Sequence, residues 1–207
     1  MNGLVGMTAD ALPPGPGAVV IALEHALIER VRRGEGAAFR EVFRLHVVRV
    51  RGFLRHLLGS ASAADEATQE TFVRAHAALR GGAEVERLQP WLLGIARNTA
   101  REHRRAQQRD VALADTVSEQ GSEPVAALDP EALLLGREAS AVLARALDTL
   151  SEERRAALVL RADQALAYED IALVLGWNVA RVKNEIYRAR LQLRAALVTQ
   201  LEPSEIA

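Results

Sequence analysis

Gly176 constrains this chain more than any other single residue. It closes the run Tyr168-Glu-Asp-Ile-Ala-Leu-Val-Leu and precedes Trp177-Asn178-Val-Ala-Arg-Val-Lys-Asn-Glu-Ile-Tyr-Arg188. Having no Cβ, glycine can end a helix in the left-handed conformation without steric cost. Asn178 offers a side-chain oxygen to cap the following helix, and Ala172 is small enough to let two helices cross closely. The spacing predicts a helix-turn-helix. On its second helix Val179, Val182, Ile186, Ala189, Leu193 and Leu197 share one side, while Ala180, Asn184, Tyr187 and Arg188 point away, flanked by Arg181 and Lys183. That pattern fits a recognition helix in a major groove, where amide and guanidinium groups read base edges, and it also fits a purely structural helix pair.

The rest of the chain is compatible only with helices. Aromatic residues are 4% of the total, β-branched residues stand mostly alone, and good helix formers dominate, so the expected fold class is all-α. Hydrophobic residues at 49% supply enough material for a packed core. There is no cysteine, which excludes disulfides and thiolate metal sites, and the five histidines (His25, His46, His56, His76, His103) lack ligand spacing. Neither a metal nor a cofactor is expected. Ala18 to Leu23 is too short to span a membrane and has no basic stretch before it, so a cytoplasmic protein without membrane insertion is expected. With a formal net charge of -1, any nucleic-acid role must rest on charge segregated along the chain.

The charges are segregated. Residues 1–23 carry Pro13, Pro14, Gly15, Pro16 and Gly17 and read as a loose leader, with Met7 a second candidate start. A helical block covers 24–109, an acidic linker 110–138, a second helical block 139–201, and a short tail 202–207. The linker holds seven carboxylates against Arg137 alone. Two small helical domains joined by an acidic spacer are therefore expected.

Three helices are predicted in the first block. Phe39, Val42, Phe43, His46, Val50, Phe53, Leu54 and Leu57 form one stripe, which makes His46 a packed imidazole rather than a ligand. From Ala63 to Leu79, Thr68, Phe72, Ala75 and Leu79 lie on one face, and Glu66, Gln69, Glu70 and Val73 on the other. Periodicity alone reads that second face as a wet surface, and nothing apolar encloses its carboxylates to make them acid-base catalysts. From about Pro90 to Arg109, Leu88, Trp91, Leu92, Ile95, Ala96 and Thr99 form the buried arc. Arg97, Arg101, Arg104, Arg105 and Gln108 form the opposite one, with Asn98 and Glu102 along its edge. Guanidinium groups at i, i+4, i+7 and i+8 suit a rod that neutralises successive phosphates, or a solvated charge run.

Taken in order, Ala38-Phe39, Asp65-Glu-Ala-Thr-Gln-Glu-Thr-Phe72, Trp91-Leu-Leu-Gly-Ile-Ala-Arg-Asn98, Leu150-Ser-Glu-Glu-Arg-Arg, Tyr168-Glu-Asp-Ile-Ala172 and Val182-Lys-Asn-Glu-Ile-Tyr-Arg-Ala-Arg190 resemble the two conserved regions of the extracytoplasmic-function sigma factors, bacterial initiation factors of RNA polymerase. The resemblance implies a non-enzymatic protein. It implies that Glu66, Gln69 and Glu70 dock the β′ clamp coiled coil of core RNA polymerase. It assigns Arg97, Asn98, Arg101, Glu102, Arg104 and Arg105 to the minus-10 element, with a flipped base held beside the loop from Gly81 to Gln89. It assigns Arg181, Lys183, Asn184, Tyr187 and Arg188 to the minus-35 element, the apolar rear of that domain packing on the β flap. It also implies an anti-sigma protein as partner and passage of the acidic linker near the RNA path.

The sequence departs from the family pattern at four positions. Glu66 replaces the usual Asp, Ala167 the usual capping Ser, Arg181 a small hydroxyl residue, and Glu185 a basic or small polar one. An operator-binding regulator that never touches polymerase would share the helix-turn-helix but would have no use for the Glu66, Gln69, Glu70 face. A hydrolase is excluded by the lack of a nucleophile elbow, phosphate loop or metal cluster.

Overall fold

The computed structural model describes residues 16–113 and 141–201, all of them in helices, turns or short connections, with no strand among them. Helices α1 (Pro16–Arg32), α2 (Gly36–Leu58), α3 (Ala61–Arg80) and α4 (Leu88–Leu113) form an N-terminal bundle. A C-terminal domain follows: α5, described over 141–148, then α6 (Glu152–Ala162), α7 (Tyr168–Leu175) and α8 (Val179–Leu201). The leader up to residue 15, the linker from 114 and the tail from 202 lie outside the described residues.

Local chemistry explains most helix ends. α2 stops at Gly59, whose φ of 73° is left-handed and whose N–H donates to the Arg55 carbonyl. Ser60 caps α3 by accepting from the Ala63 N–H at 3.3 Å, so two residues suffice to turn the chain back. Inside α3 the buried hydroxyls of Thr68 and Thr71 donate to the carbonyls of Ala64 and Ala67 at 2.6 and 2.7 Å, so neither hydroxyl is left unpaired against the core. The start of α4 is capped from a distance: the Leu88 N–H donates to Glu24 Oε2 of α1 at 3.1 Å. Gly34 is dictated twice over, by a φ of 91° and by the Arg80 guanidinium 2.6 Å from where a Cβ would stand. That guanidinium donates to the Arg32 carbonyl at 2.9 Å and ties α3 to the end of α1.

The predicted stripes of α2, α3 and α4 meet. Phe53, Leu54, Leu57, Leu79, Leu88, Leu92 and Leu93 are wholly buried, each contributing on the order of 1.5–3 kcal/mol through loss of apolar surface from water. His46 lies among them, and burial pushes its pKa below the usual range; Arg49 adds to this and Glu24 opposes it. Phe43 differs from the reading: it is 41% exposed and stands at the edge of the core, its ring edge-on to Phe72 at 4.7 Å.

Two features were not expected. α1 begins at Pro16, within the stretch read as a loose leader, because proline is well placed in a first helical turn, where its missing N–H costs nothing. The two blocks also share one core rather than standing apart. Ala156, Ala157, Val159 and Leu160 of α6 and Ile171, Ala172, Val174 and Leu175 of α7 continue the apolar cluster built by α1 to α4. A smaller cluster of Leu147, Leu150, Leu158 and Ala189 holds α5 and α6 to α8.

Candidate nucleic-acid and partner interfaces

The acidic face of α3 is solvent-directed, as its periodicity predicts, but its side chains differ in freedom. Glu66 and Gln69 are exposed, whereas Glu70 is half-buried and doubly bound. It accepts from Arg74 at 2.5 Å and lies 2.9 Å from His103 Nε2 of α4. Arg74 reaches on to Glu102 at 2.5 Å, and these carboxylates raise its pKa further above the arginine range. Glu70, Arg74, Glu102 and His103 thus link the α3 face to the edge of the α4 basic face. Val73, 68% exposed, supplies an apolar patch beside the carboxylates.

On α4 Leu88, Leu92, Ala96 and Thr99 of the predicted arc are buried, while Trp91 and Ile95 are partly buried against the core. The opposite arc is not open. Arg97 is only 8% exposed and lies 3.9 Å from Glu153 of α6. Arg101 and Arg104 approach Glu152 at 3.7 and 4.0 Å, and Arg104 also donates to the Leu57 carbonyl at the end of α2. Burial and the neighbouring Arg101 charge lower the Arg97 pKa, opposed by Glu153 and Glu152. Of the residues of this arc and its edge, Asn98, Glu102, Arg105 and Gln108 are exposed. Helical periodicity shows which side of α4 faces away from its own bundle; it carries no information about a second domain packing there.

Beside Asn98 and the loop from Gly81 to Gln89, where the family resemblance implies a base pocket, lies a groove of about 430 Å³. Val85, Arg87 and Trp91 line one wall, and Leu173 and Val174 of α7 form the other. Trp91 is partly buried against the core and also lines this groove. Arg87, which sequence reasoning did not single out, pairs with Asp170 of α7, a carboxylate only 2% exposed. An Asp in the first turn of a predicted helix reads as a dipole complement. No local signal connects it to an arginine 83 residues earlier.

The helix-turn-helix forms as its residues require. Gly176 adopts φ 67°, ψ 35°, and its N–H donates to the Ala172 carbonyl. Asn178 Oδ1 accepts from the Arg181 N–H at 2.8 Å and caps α8. Ala167 makes no side-chain cap at α7, as its substitution for a hydroxyl residue implies. Val182, Ile186 and Ala189 are buried; Lys183, Asn184, Tyr187 and Arg188 are exposed. Arg181 lies across Trp177, 4.1 Å from the ring centre, and pairs with Glu153 at 3.2 Å. Glu185 turns inward to Arg154 at 2.7 Å, with Arg188 at 3.4 Å, and these arginines hold its carboxyl below the usual range. Glu185 therefore points aside from the exposed stripe.

Among the described residues no group of histidine or acidic side chains is arranged to hold a metal ion, and no helix is long and apolar enough to cross a membrane. What the geometry offers is an acidic knob, a basic face beside a groove, and a polar recognition stripe, all suited to binding.

Comparison with known proteins agrees with this arrangement. The family model for sigma-70 region 2 matches residues 42–110, and that for sigma-70 region 4 matches residues 140–193. The chain is 32% identical to the RNA polymerase sigma-H factor of Pseudomonas aeruginosa over 180 residues, covering 84% of this chain and 93% of that protein. It is 31% identical to the ECF RNA polymerase sigma-E factor of Escherichia coli K12 over 176 residues, covering 81% and 90%. Among solved structures it resembles the sigma factor RpoE from Bartonella quintana, crystallised with the anti-sigma factor NepR. There the TM-score is 0.63 and the identity 26%, over 77% of this chain and 96% of that one. The chain belongs to the extracytoplasmic-function sigma factors of the sigma-70 family, and it is an alternative sigma factor directing transcription initiation.

Proposed function

We propose that the chain works through three separate surfaces: Glu66, Gln69 and Glu70 dock the β′ clamp coiled coil of core RNA polymerase; Arg97, Asn98, Arg101, Glu102, Arg104 and Arg105 hold the minus-10 element; and Arg181, Lys183, Asn184, Tyr187 and Arg188 contact the minus-35 element. The supporting observation is the recognition stripe. Asn184, Tyr187 and Arg188 are exposed on a capped helix whose rear is buried, and Glu185, the one acid among them, is drawn aside by Arg154. Asn and Arg make bidentate contacts to base edges, whereas Lys183 and Arg181 at the flanks suit phosphates.

On α4 the arginines neutralise phosphates of the melted strand, and the groove by Asn98 and Trp91 receives an unstacked base. The domain division follows: a minus-10 and docking domain that begins with α1 at Pro16 and ends with α4 at Leu113, an acidic linker up to about 138 entering the polymerase, and a minus-35 domain 139–201. The protein carries out no chemistry of its own, acts in the cytoplasm, packs the rear of its C-terminal domain on the β flap, and is held in reserve by an anti-sigma protein. In vitro transcription with core polymerase and fragmented genomic DNA tests this reading. Discrete transcripts that depend on the added protein are the expected result, and none above core polymerase alone would overturn it.

A further inference from the structure

We propose that Arg154, which lies on α6 and outside the recognition helix, sets the minus-35 preference by fixing the roll of α8 and, through Glu185, the place of the Arg188 guanidinium. The inference deepens the assignment of Arg188 to base readout and rests on it. Arg154 Nε donates to Glu185 Oε2 at 2.7 Å, and its Nη1 donates to Gln192 Oε1 at 3.3 Å. Gln192 in turn donates through Nε2 to the Thr149 carbonyl at 2.6 Å. The other oxygen of the Glu185 carboxylate, Oε1, accepts from Arg188 Nη1 at 3.4 Å. One α6 side chain thus holds α8 at two places, Glu185 and Gln192, about two turns apart, and reaches the exposed stripe through a shared carboxylate.

The placement of these groups around α8 gives the effect a direction. At about 100° per residue, Arg181, Glu185 and Gln192 fall within about 40° of one another, on the flank bound to α6 and its approach. Arg188 stands next to that flank, Asn184 further round, and Tyr187 and Lys183 at the opposite edge of the stripe. Arg181 is engaged from the same side, by Glu153 at 3.2 Å. The two residues at which α8 departs from the family pattern, Arg181 and Glu185, are therefore both paired with neighbouring residues of α6. The apolar rear, where Ala189 and Leu193 meet Leu147, Leu150 and Leu158, holds α8 down but supplies no directional bond. Side-chain atoms stand about 5–6 Å or more from a helix axis, so a roll of about 10° moves them by about 1 Å. A bidentate contact to a base edge is lost over such a shift, because hydrogen-bond geometry tolerates only a few tenths of an ångström. Arg154 acts by charge as well. It keeps the Glu185 side chain only 18% exposed, and without it that carboxylate is released towards the phosphates of any bound sequence.

The test is the minus-35 preference of the assembled holoenzyme, measured on a randomised minus-35 library at one salt concentration. The proteins compared are the unaltered chain, R188A, R154M, E185Q and R154M/R188A. R188A defines the base position beneath Arg188. At that position R154M and E185Q should each lower the preference roughly three- to fivefold, the size of a coupling between neighbours in one network, and change the others less. In the R188A background R154M should cause no further loss there, which a merely structural role of Arg154 would not produce. E185Q keeps the side-chain volume, so it carries the test even where R154M loses helical content. Equal loss at every position in both variants, or an R154M effect as large in R188A as in the unaltered chain, overturns the proposal. So does a position defined by R188A that neither variant touches, an outcome that leaves base readout by Arg188 standing. R188A without any position of its own overturns that readout and the proposal with it.

Discussion

α4 and α8 are both arginine-rich helices with one apolar side, yet they present themselves differently. On α4, Arg97 is buried, and Arg101 and Arg104 face the carboxylate of Glu152. On α8, Lys183, Asn184, Tyr187 and Arg188 face solvent. The difference does not lie in their own periodicity, which is equally clear in both. It comes from packing: α6 and α7 share a core with α2 and α4 and bring Glu152 and Glu153 to the α4 arginines, whereas α8 joins that core through Val182 and Ile186 and leaves its polar stripe outside. A basic helix face is therefore a statement about local sequence, and its availability is a property of the whole fold.

The comparison is most open to attack at α4. Replacing Arg101, Arg104 and Arg105 by Ala should weaken promoter binding by the holoenzyme roughly a hundredfold. The slope of log affinity against log salt should fall by about 2, since each lost phosphate contact removes about 0.7–0.9. A thermal melt must accompany this because Arg104 also bonds the Leu57 carbonyl. An unchanged slope would return the face to ordinary solvated charge.

At α8 the effect should be smaller and position-specific. Asn184→Ala or Arg188→Ala should each cost about 1–3 kcal/mol of discrimination at particular minus-35 positions, while Lys183→Ala should weaken all sequences alike. A randomised minus-35 library measured at one salt concentration distinguishes these outcomes. Equal shifts for all three variants would remove base readout from this stripe.

The uncapped start of α7 predicts a gain. Ala167 has an extended backbone, φ -65°, ψ 157°, suited to a cap it cannot supply. Ala167→Ser should therefore stabilise the protein by about 1 kcal/mol and raise Tm by roughly 2–4 °C in a calorimetric scan. No change would mean that water or a neighbour already satisfies those N–H groups.

The smallest effect concerns His46. Burial depresses its folded-state pKa, so the unfolded chain binds the extra proton first as pH falls below about 6.5. The stability this neutral imidazole contributes is present above that pH and is lost on acidification towards the folded pKa. His46→Leu also removes a buried Nδ1 that lacks a partner, and it should flatten the pH dependence of the denaturation midpoint between about pH 5 and 7. Identical pH profiles for both proteins would show that the imidazole does not titrate differently on folding.

Much of this was readable from residues alone. The stripes of α2, α3 and α4, the burial of His46, the left-handed Gly176 and the Asn178 cap all follow from spacings within a few turns, where physical neighbours are also sequence neighbours. The sequence did not reveal what joins distant segments. Glu24 capping α4, Arg80 over Gly34, Arg87 with Asp170 and the burial of Arg97 each depend on groups tens of residues apart. The pairing of Glu70 with Arg74 was within reach, as an i,i+4 pair on one helix, but its extension to Glu102 and His103 was not.

The central proposal is that this chain docks core RNA polymerase through Glu66, Gln69 and Glu70 of α3. The most direct test is the affinity of a fluorescent E66K/E70K variant for core polymerase, measured beside the unaltered protein by anisotropy, with circular dichroism confirming equal helical content. Loss of core binding by at least about a hundredfold with helicity retained is the expected result, since both carboxylates would face a basic partner and reversal turns attraction into repulsion. Unchanged affinity in the folded variant would contradict the account, because the α3 face would then be the ordinary wet surface that its periodicity alone describes.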